Sequence, residues 1–314
     1  MYNRDVESEK ILSECMEALK NLNEMFKQYE GKTSKSIGIN RIFSYLKNFK
    51  VCSLKEMFFK NYRMIKINHK KLPSPIYKKE ISEKINYFSQ EKIVVYTVIF
   101  GKYDSVQEPL FVPDNCEFII LTDMELQKNS KWKKYDMQKV ASIIQGMTSI
   151  EKNRIFKMKP EILFPEYKYS IYIDGNIQVI SDLTEMIHKI PECGVAMHWH
   201  AHRICVYDEI ETVRLLKLDK KINLDKHMEH IMEGGMPNNY GLLECNVIAR
   251  EHNKESCKKL MEDWWKEFQI YSKRDQISFP YVLYKNGIKV KEVATLGHNV
   301  KQNYALRINS HKKQ

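Results

Sequence analysis

Asp174-Gly175-Asn176 sets a carboxylate and an amide on either side of a glycine, directly after the apolar run Ile171-Tyr172-Ile173. Two hard oxygen donors one residue apart suit Mg²⁺ or Mn²⁺, and the glycine lets a backbone or a phosphate come close. That chemistry would hold a diphosphate. The same tripeptide is also an ordinary strand-ending turn, so two readings stand open. Three alternating imidazoles, His198, His200 and His202, would share one face of a strand and could form a zinc site. No cysteine or carboxylate at ligand spacing completes that set. Trp264-Trp265 falls in an amphipathic pattern with Leu260, Met261 and Phe268, whose default reading is core packing.

These residues need elements to position them. Ile93 to Phe100 is a continuous apolar, β-branched run, the pattern of a central parallel strand buried on both faces. It ends in Gly101-Lys102-Tyr103-Asp104. A second strand, Cys116 to Leu121, ends in Thr122-Asp123; a helical stretch over roughly 148–163 precedes the Asp174 strand. A short apolar run, Ile177 to Ile180, follows it. Strands alternating with helices predict an α/β fold with a mostly parallel sheet. Ligand sites in such sheets lie at the carboxyl ends of the strands. Neither a Walker phosphate loop nor a Gly-x-Gly-x-x-Gly fingerprint is present.

Several of these stretches together resemble a known family. Val94 to Asp104, Leu121-Thr122-Asp123 and Tyr172 to Ile177 look like its first half, and His200 to Glu209 and Ser272 to Pro280 like its second. This is the glycosyltransferase-like family of plant cell-wall and mucilage proteins, with bacterial members tied to surface polysaccharides. The resemblance covers about residues 92–300. The family is similar in turn to the retaining glycosyltransferases of family 8, which implies a GT-A-type, Rossmann-like sheet and a divalent metal on an Asp-x-Asp motif. Asp174 matches the first carboxylate of that motif and Asn176 the last, a departure that removes one formal charge. His298, in Leu296-Gly297-His298-Asn299, matches the late histidine that serves as third metal ligand. Lys157 matches a basic residue that would neutralise donor phosphate. Asp275 and Gln276 match a pair beneath the donor sugar. Around a nucleotide-sugar donor the resemblance further places Thr97, Phe100, Gly101, Tyr103, Asp104, Asp123, Gly175, His200, Arg203 and Asn246. Tyr207, Asp208 and Glu209 can equally be structural, opening a helix.

The implied activity is transfer of a sugar, UDP-sugar favoured, to a cell-surface glycan or lipid-linked acceptor, with retention and Mn²⁺ or Mg²⁺ as cofactor. A non-catalytic glycan-binding or scaffolding protein of the same fold is the competing reading.

Composition bounds the rest. The 314 residues carry a net charge of +11, unevenly placed. Residues 1–30 hold four Lys or Arg against seven acids, and residues 31–79 hold thirteen against one, leaving only +2 for residues 80–314. Residues 8–30 carry a heptad seam (Leu12, Cys15, Leu19, Leu22, Phe26, Tyr29), suited to a homodimer or to packing within the chain. Residues 39–67 read as basic amphipathic helices, and the 31–79 segment suits an anionic membrane surface, an acidic partner or plain solvent. No groove-reading or stacking module accompanies the charge, so no nucleic-acid partner is expected. Leu72-Pro73-Ser74-Pro75 reads as a stiff connector. The predicted organisation is therefore a helical basic extension over 1–88 and a GT-A-like domain over 89–314. No apolar run approaches the roughly 18 residues that span a membrane, and the N-terminus lacks a basic-then-apolar leader. Seven scattered cysteines, with no C-x-x-C pair, suit reduced thiols. A cytoplasmic protein, peripheral on the inner membrane face, is the expected location.

Overall fold

Ile93–Ile99 form strand β1, every residue of it buried, because a run of β-branched and aromatic side chains can be covered on both faces only at the centre of a sheet. In the computed structural model, residues 91–310 apart from Lys102 are described, together with Arg63, Met64 and Ile67. The heptad seam, the Leu72–Pro75 connector and nearly all of the basic segment lie outside the described residues. The chain divides into two units, Met1–Lys66 and Ile67–Gln314, and the second is described below.

Six strands make the main sheet: β1, β2 (Cys116–Thr122), β3 (Lys133–Lys134), β4 (Tyr169–Ile173), β6 (Val195–Trp199) and β7 (Leu243–Arg250). Their order is β3-β2-β1-β4-β7-β6. β1 runs parallel to β2 and β4, and β7 alone runs against its neighbours. β5 (Ile177–Val179) leaves this sheet and pairs antiparallel with β8 (Leu306–Ile308). The expected α/β fold with a mostly parallel sheet flanked by helices is thus present, with one reversed strand that periodicity cannot signal. β3 ends the sheet as two exposed lysines, short and charged, which discourages edge-to-edge pairing.

Helices α1 (Ser149–Met158), α4 (Glu255–Ile270) and α5 (Asp275–Lys285) cover one face, where Tyr96, Phe156, Trp264, Phe268 and Phe279 share a core. Trp264 and Trp265 are buried there, as their helical spacing predicts. The other face is closed by the β5–β8 ribbon and a short 3-10 helix, Thr184–Lys189, around Val95, Ile99, Ile173 and Met186. α2 (Val206–Leu215) and α3 (Lys221–Glu233) make a smaller cluster with Tyr281 of α5. α1 begins at a capping box, Thr148 with Glu151, and stops short of Pro160, which cannot continue a helix. Among the described residues no helix is long and apolar enough to cross a membrane. All five described cysteines are free thiols.

One irregularity bears on the site. β6 and β7 pair Ala196 with Ala249, then His198 with Glu244, two steps on β6 against five on β7. The surplus residues bulge over Cys245–Ile248, and bulges re-aim what lies beside them. Beside it the β4–β7 ladder runs on in unbroken register, and the backbone N–H of Asp174 donates to the Asn246 carbonyl at 2.8 Å.

Candidate functional site

Lys157 lies in the last turn of α1, where helix carbonyls lack intrahelical donors. Two buried groups supply them. Tyr96 Oη donates to the carbonyls of Phe156 (3.1 Å) and Lys157 (3.2 Å), and Arg250 donates to that of Lys157 at 2.8 Å. This anchorage fixes the backbone from which the Lys157 side chain leaves, itself only 1% exposed. Its ammonium sits 2.6 Å from Asp275 Oδ2 and 3.3 Å from Asp174 Oδ1, and 5.0 Å from the Tyr172 ring centre. Arg154, one helical turn earlier on the same face, places Nε 3.2 Å from Asp275 Oδ2. Tyr172 Oη donates to Asp174 Oδ1 at 2.7 Å. Residues from the end of α1, the end of β4 and the start of α5 thus converge on one chain of charges.

The electrostatics follow from burial and partners. Burial alone would raise the Asp275 carboxyl, but Arg154 and then Lys157 hold it well below the usual carboxylate range. Burial works against the Arg154 charge, yet Asp275 and Asp174 raise it further. Burial and then the Asp174 charge push the Tyr172 phenol well above its ordinary value, so it stays a donor. The Cys245 thiol, behind the cluster, is likewise raised first by burial. Two carboxylates and two cations balance, and an arriving dianion would meet a neutral, pre-oriented set.

The other predicted residues are distributed around this centre. Gly101, at φ +71°, donates its N–H to Asp123 Oδ2 at 3.1 Å and so ties the β1 loop to the end of β2. Gly175 lies where a Cβ would stand 2.8 Å from Ile99 Cγ1 and 3.2 Å from Asp104 Cβ, which explains the glycine and puts buried Asp104 beside the Asp174 turn. Tyr103 is 58% exposed, Thr97 is buried within β1, and Phe100 joins the core. Gln276 Nε2 donates to the Leu243 carbonyl at 2.9 Å. Asn246 Oδ1 is buried without a hydrogen-bond donor beside this edge.

His200 and Arg203 are placed by the protein's own contacts. β6 ends at Trp199, so the histidine alternation does not continue along a strand. His198 faces the interior, with Nε2 3.0 Å from Asn303 Nδ2. His200 Nδ1 accepts from the backbone N–H of Arg203 (2.9 Å) and His202 (3.2 Å), and Arg203 Nε meets Glu209 Oε2 at 2.6 Å in the first turn of α2. His298 follows Gly297, whose carbonyl accepts from Trp199 N at 3.0 Å. Reading the sequence missed Arg154 and Tyr172. Arg154 carried a usable signal, its i,i+3 spacing from Lys157.

Among the described residues no group of three His, Cys, Asp or Glu side chains is placed to hold an ion. Asn176 Nδ2 donates to the Asn309 carbonyl at 3.1 Å, so a cation would meet this amide through its oxygen. One carboxylate and one amide oxygen do not make a closed protein cage. They do fit a hard ion such as Mg²⁺, which is commonly held by one or two carboxylates together with substrate phosphates and water.

The second unit's sequence identifies its kin. Residues 67–308 match the model of the TOD1/MUCI70 glycosyltransferase-like domain, a span that starts well before β1. A probable hexosyltransferase, MUCI70 of Arabidopsis thaliana, is 23% identical over 221 residues, covering 60% of this chain and 37% of the relative. The chain therefore spans little more than a third of that relative's length. More distant likeness links it to the bifunctional glycosyltransferase WbbM, at TM-score 0.39 and 9% identity over 68% of this chain and 40% of that one. Mouse xyloside xylosyltransferase 1 gives TM-score 0.38 and 7% identity over 66% and 84%. On the match over 67–308, the chain belongs to the TOD1/MUCI70 glycosyltransferase-like family.

Proposed function

We propose that this protein transfers a hexosyl group from a nucleotide-diphosphate sugar, UDP-sugar favoured, to a cell-surface glycan or lipid-linked acceptor, with retention of configuration. The observation that carries the reading is the buried Lys157 ammonium, held between Asp174 and Asp275 at the carboxyl edge of the sheet. Breaking a glycosyl–phosphate bond leaves negative charge on the departing diphosphate, and a fixed cation in a water-poor site stabilises it. Asp275, 2.6 Å from the ammonium, keeps Lys157 aimed. Gln276, fixed through its Nε2, and Asp275 would lie below the reacting sugar. The β1 loop from Gly101 to Asp104, with Asp123, would meet the nucleoside. Asp174 and Asn176, with His298, would hold Mn²⁺ or Mg²⁺, which supplies further charge neutralisation at the diphosphate when bound.

The test pairs binding with turnover. UDP-, GDP-, CMP- and dTDP-sugars are screened by thermal shift with and without Mn²⁺, since a ligand of the folded state raises the melting temperature. Slow donor hydrolysis is then measured for the parent and for Asp174→Ala. One nucleotide should stabilise the parent, and Asp174→Ala should stay folded while hydrolysis drops at least a hundredfold. Full hydrolysis in Asp174→Ala would sink the site. No stabilisation by any nucleotide would favour the glycan-binding alternative, for which the removal of a charge at Asn176 speaks.

A further inference from the structure

Four large aliphatic side chains lie exposed on two adjoining turns of the α2–α5 region: Leu216 (41%), Leu218 (49%), Ile222 (58%) and Ile270 (69%). The first three occupy the α2–α3 connection and the opening turn of α3, and Ile270 ends α4. The two turns are fastened together. Asp219 accepts from Ser272 Oγ at 2.6 Å and from the backbone N–H of Lys273 at 2.9 Å, and the Tyr271 ring stacks on His227 and His230 of α3 at 5.1 and 4.3 Å. Exposed aliphatics gathered on a rigid, clipped pair of turns mark a docking surface.

The charges beside them say which kind. Lys217 and Lys220 are exposed between these aliphatics, and neither pairs with an acid among the described residues. The acid of the same turn, Asp219, is spent on the clip, with its pKa held down by hydrogen bonds against the opposing effect of burial. Aliphatics to enter the headgroup boundary, with ammonium groups to meet phosphates, are what an anionic lipid surface requires. The neighbouring acids Glu211 and Asp225 are already paired with Arg214 and Lys221, which leaves Lys217 and Lys220, among the described residues, as the unpaired charges between the aliphatics.

We infer that the turns carrying Leu216, Leu218, Ile222 and Ile270 dock the domain on an anionic membrane surface. The clip that orders them leads straight through Ser272, Lys273 and Arg274 into Asp275, at the centre of the charge cluster. Docking there sets the candidate site close to the bilayer, where a lipid-linked acceptor would present its head. That last consequence rests on the proposed transferase activity; the docking does not.

Flotation of the full-length protein tests it, with vesicles of neutral phosphatidylcholine and with vesicles containing anionic phosphatidylglycerol. The parent should float only with the anionic vesicles. A Leu218→Ser/Ile222→Ser/Ile270→Ser variant and a Lys217→Glu/Lys220→Glu variant should each partition at least tenfold less. Circular dichroism and melting curves of both variants establish that they fold, since every altered side chain is exposed. Undiminished flotation of the folded variants would assign membrane binding to residues 31–79 and overturn the inference. So would failure of the parent to float, or variants that change only the oligomeric state. Donor hydrolysis needs no membrane, so its loss in the Asp174→Ala test is read separately.

Discussion

Lys157 shows why single residues at this site resist conservative exchange. A buried ammonium is tolerated because two carboxylates and an aromatic face surround it, and removing one partner leaves an uncompensated charge in a poor solvent. Asp275→Asn should therefore cost about 3–5 kcal/mol of unfolding free energy, since it strips Lys157 and Arg154 of their shared partner. Urea denaturation measures this, and a loss under 1 kcal/mol would show the cluster to be well hydrated. The sign with pH follows. Asp275 titrates lower in the folded protein than its ordinary 3.8, so the unfolded chain takes up protons first as pH falls. Its contribution is complete above about pH 4 and is lost as acid drives the pH down toward the folded value. An Asn at that position should flatten the acid limb of the stability curve. Lys157→Arg is not a mild change either, because a planar fork does not fit a socket shaped for a point charge.

At the scale of elements, the end of α1 is held in place by side chains from two strands. Tyr96, on the central strand, and Arg250, on the reversed strand, both donate to its terminal carbonyls. Tyr96→Phe should destabilise the protein by about 1–3 kcal/mol, as buried carbonyls lose a donor. It should also lower the rate of donor cleavage more than the affinity for donor, because Lys157 would be displaced from the leaving group; an unchanged rate would confine Tyr96 to a structural role. The elements themselves were unequally legible. β1, β2 and β4 declare themselves as short apolar runs ending in polar turns, and α4 by the helical spacing of Leu260, Met261, Trp264, Trp265 and Phe268. α1 is shorter than the helical stretch expected over 148–163, because Pro160 stops it after Met158. α5 was not read as a helix, with Pro280 inside it. Strand direction is not written in any periodicity, so β7 gave no hint of its reversal, nor β5 of its departure to pair with β8. Lys157, Asp174 and Asp275 were marked by resemblance. What the sequence could not display was their mutual contact, which depends on the ends of α1 and β4 and the start of α5, far apart in the chain, meeting at one point.

At the scale of the whole molecule, buried imidazoles govern acid stability. Burial, ahead of neighbouring cations, lowers His198, His200 and His227 to about 3, and burial lowers His252 to about 4. Each is below the unfolded value of 6.5, so these groups stay neutral in the fold while the unfolded chain binds protons. They cost nothing above pH 6.5. Below it each can remove up to about 1.4 kcal/mol per pH unit, until the folded values are reached. The melting temperature should be flat above pH 7 and drop steadily from pH 6.5 toward 4; a constant value between pH 7 and 5 would mean that the imidazoles are hydrated. The position of β1 has a separate consequence. It is paired on both sides and buried along its whole length, so its amides reach solvent only when the entire sheet opens. Deuterium uptake from Val94 to Val98 should then report the global unfolding equilibrium, slowing in proportion to any donor bound at the sheet's carboxyl edge. The innermost strand becomes a gauge of occupancy, readable by mass spectrometry before the sugar or its acceptor has been named.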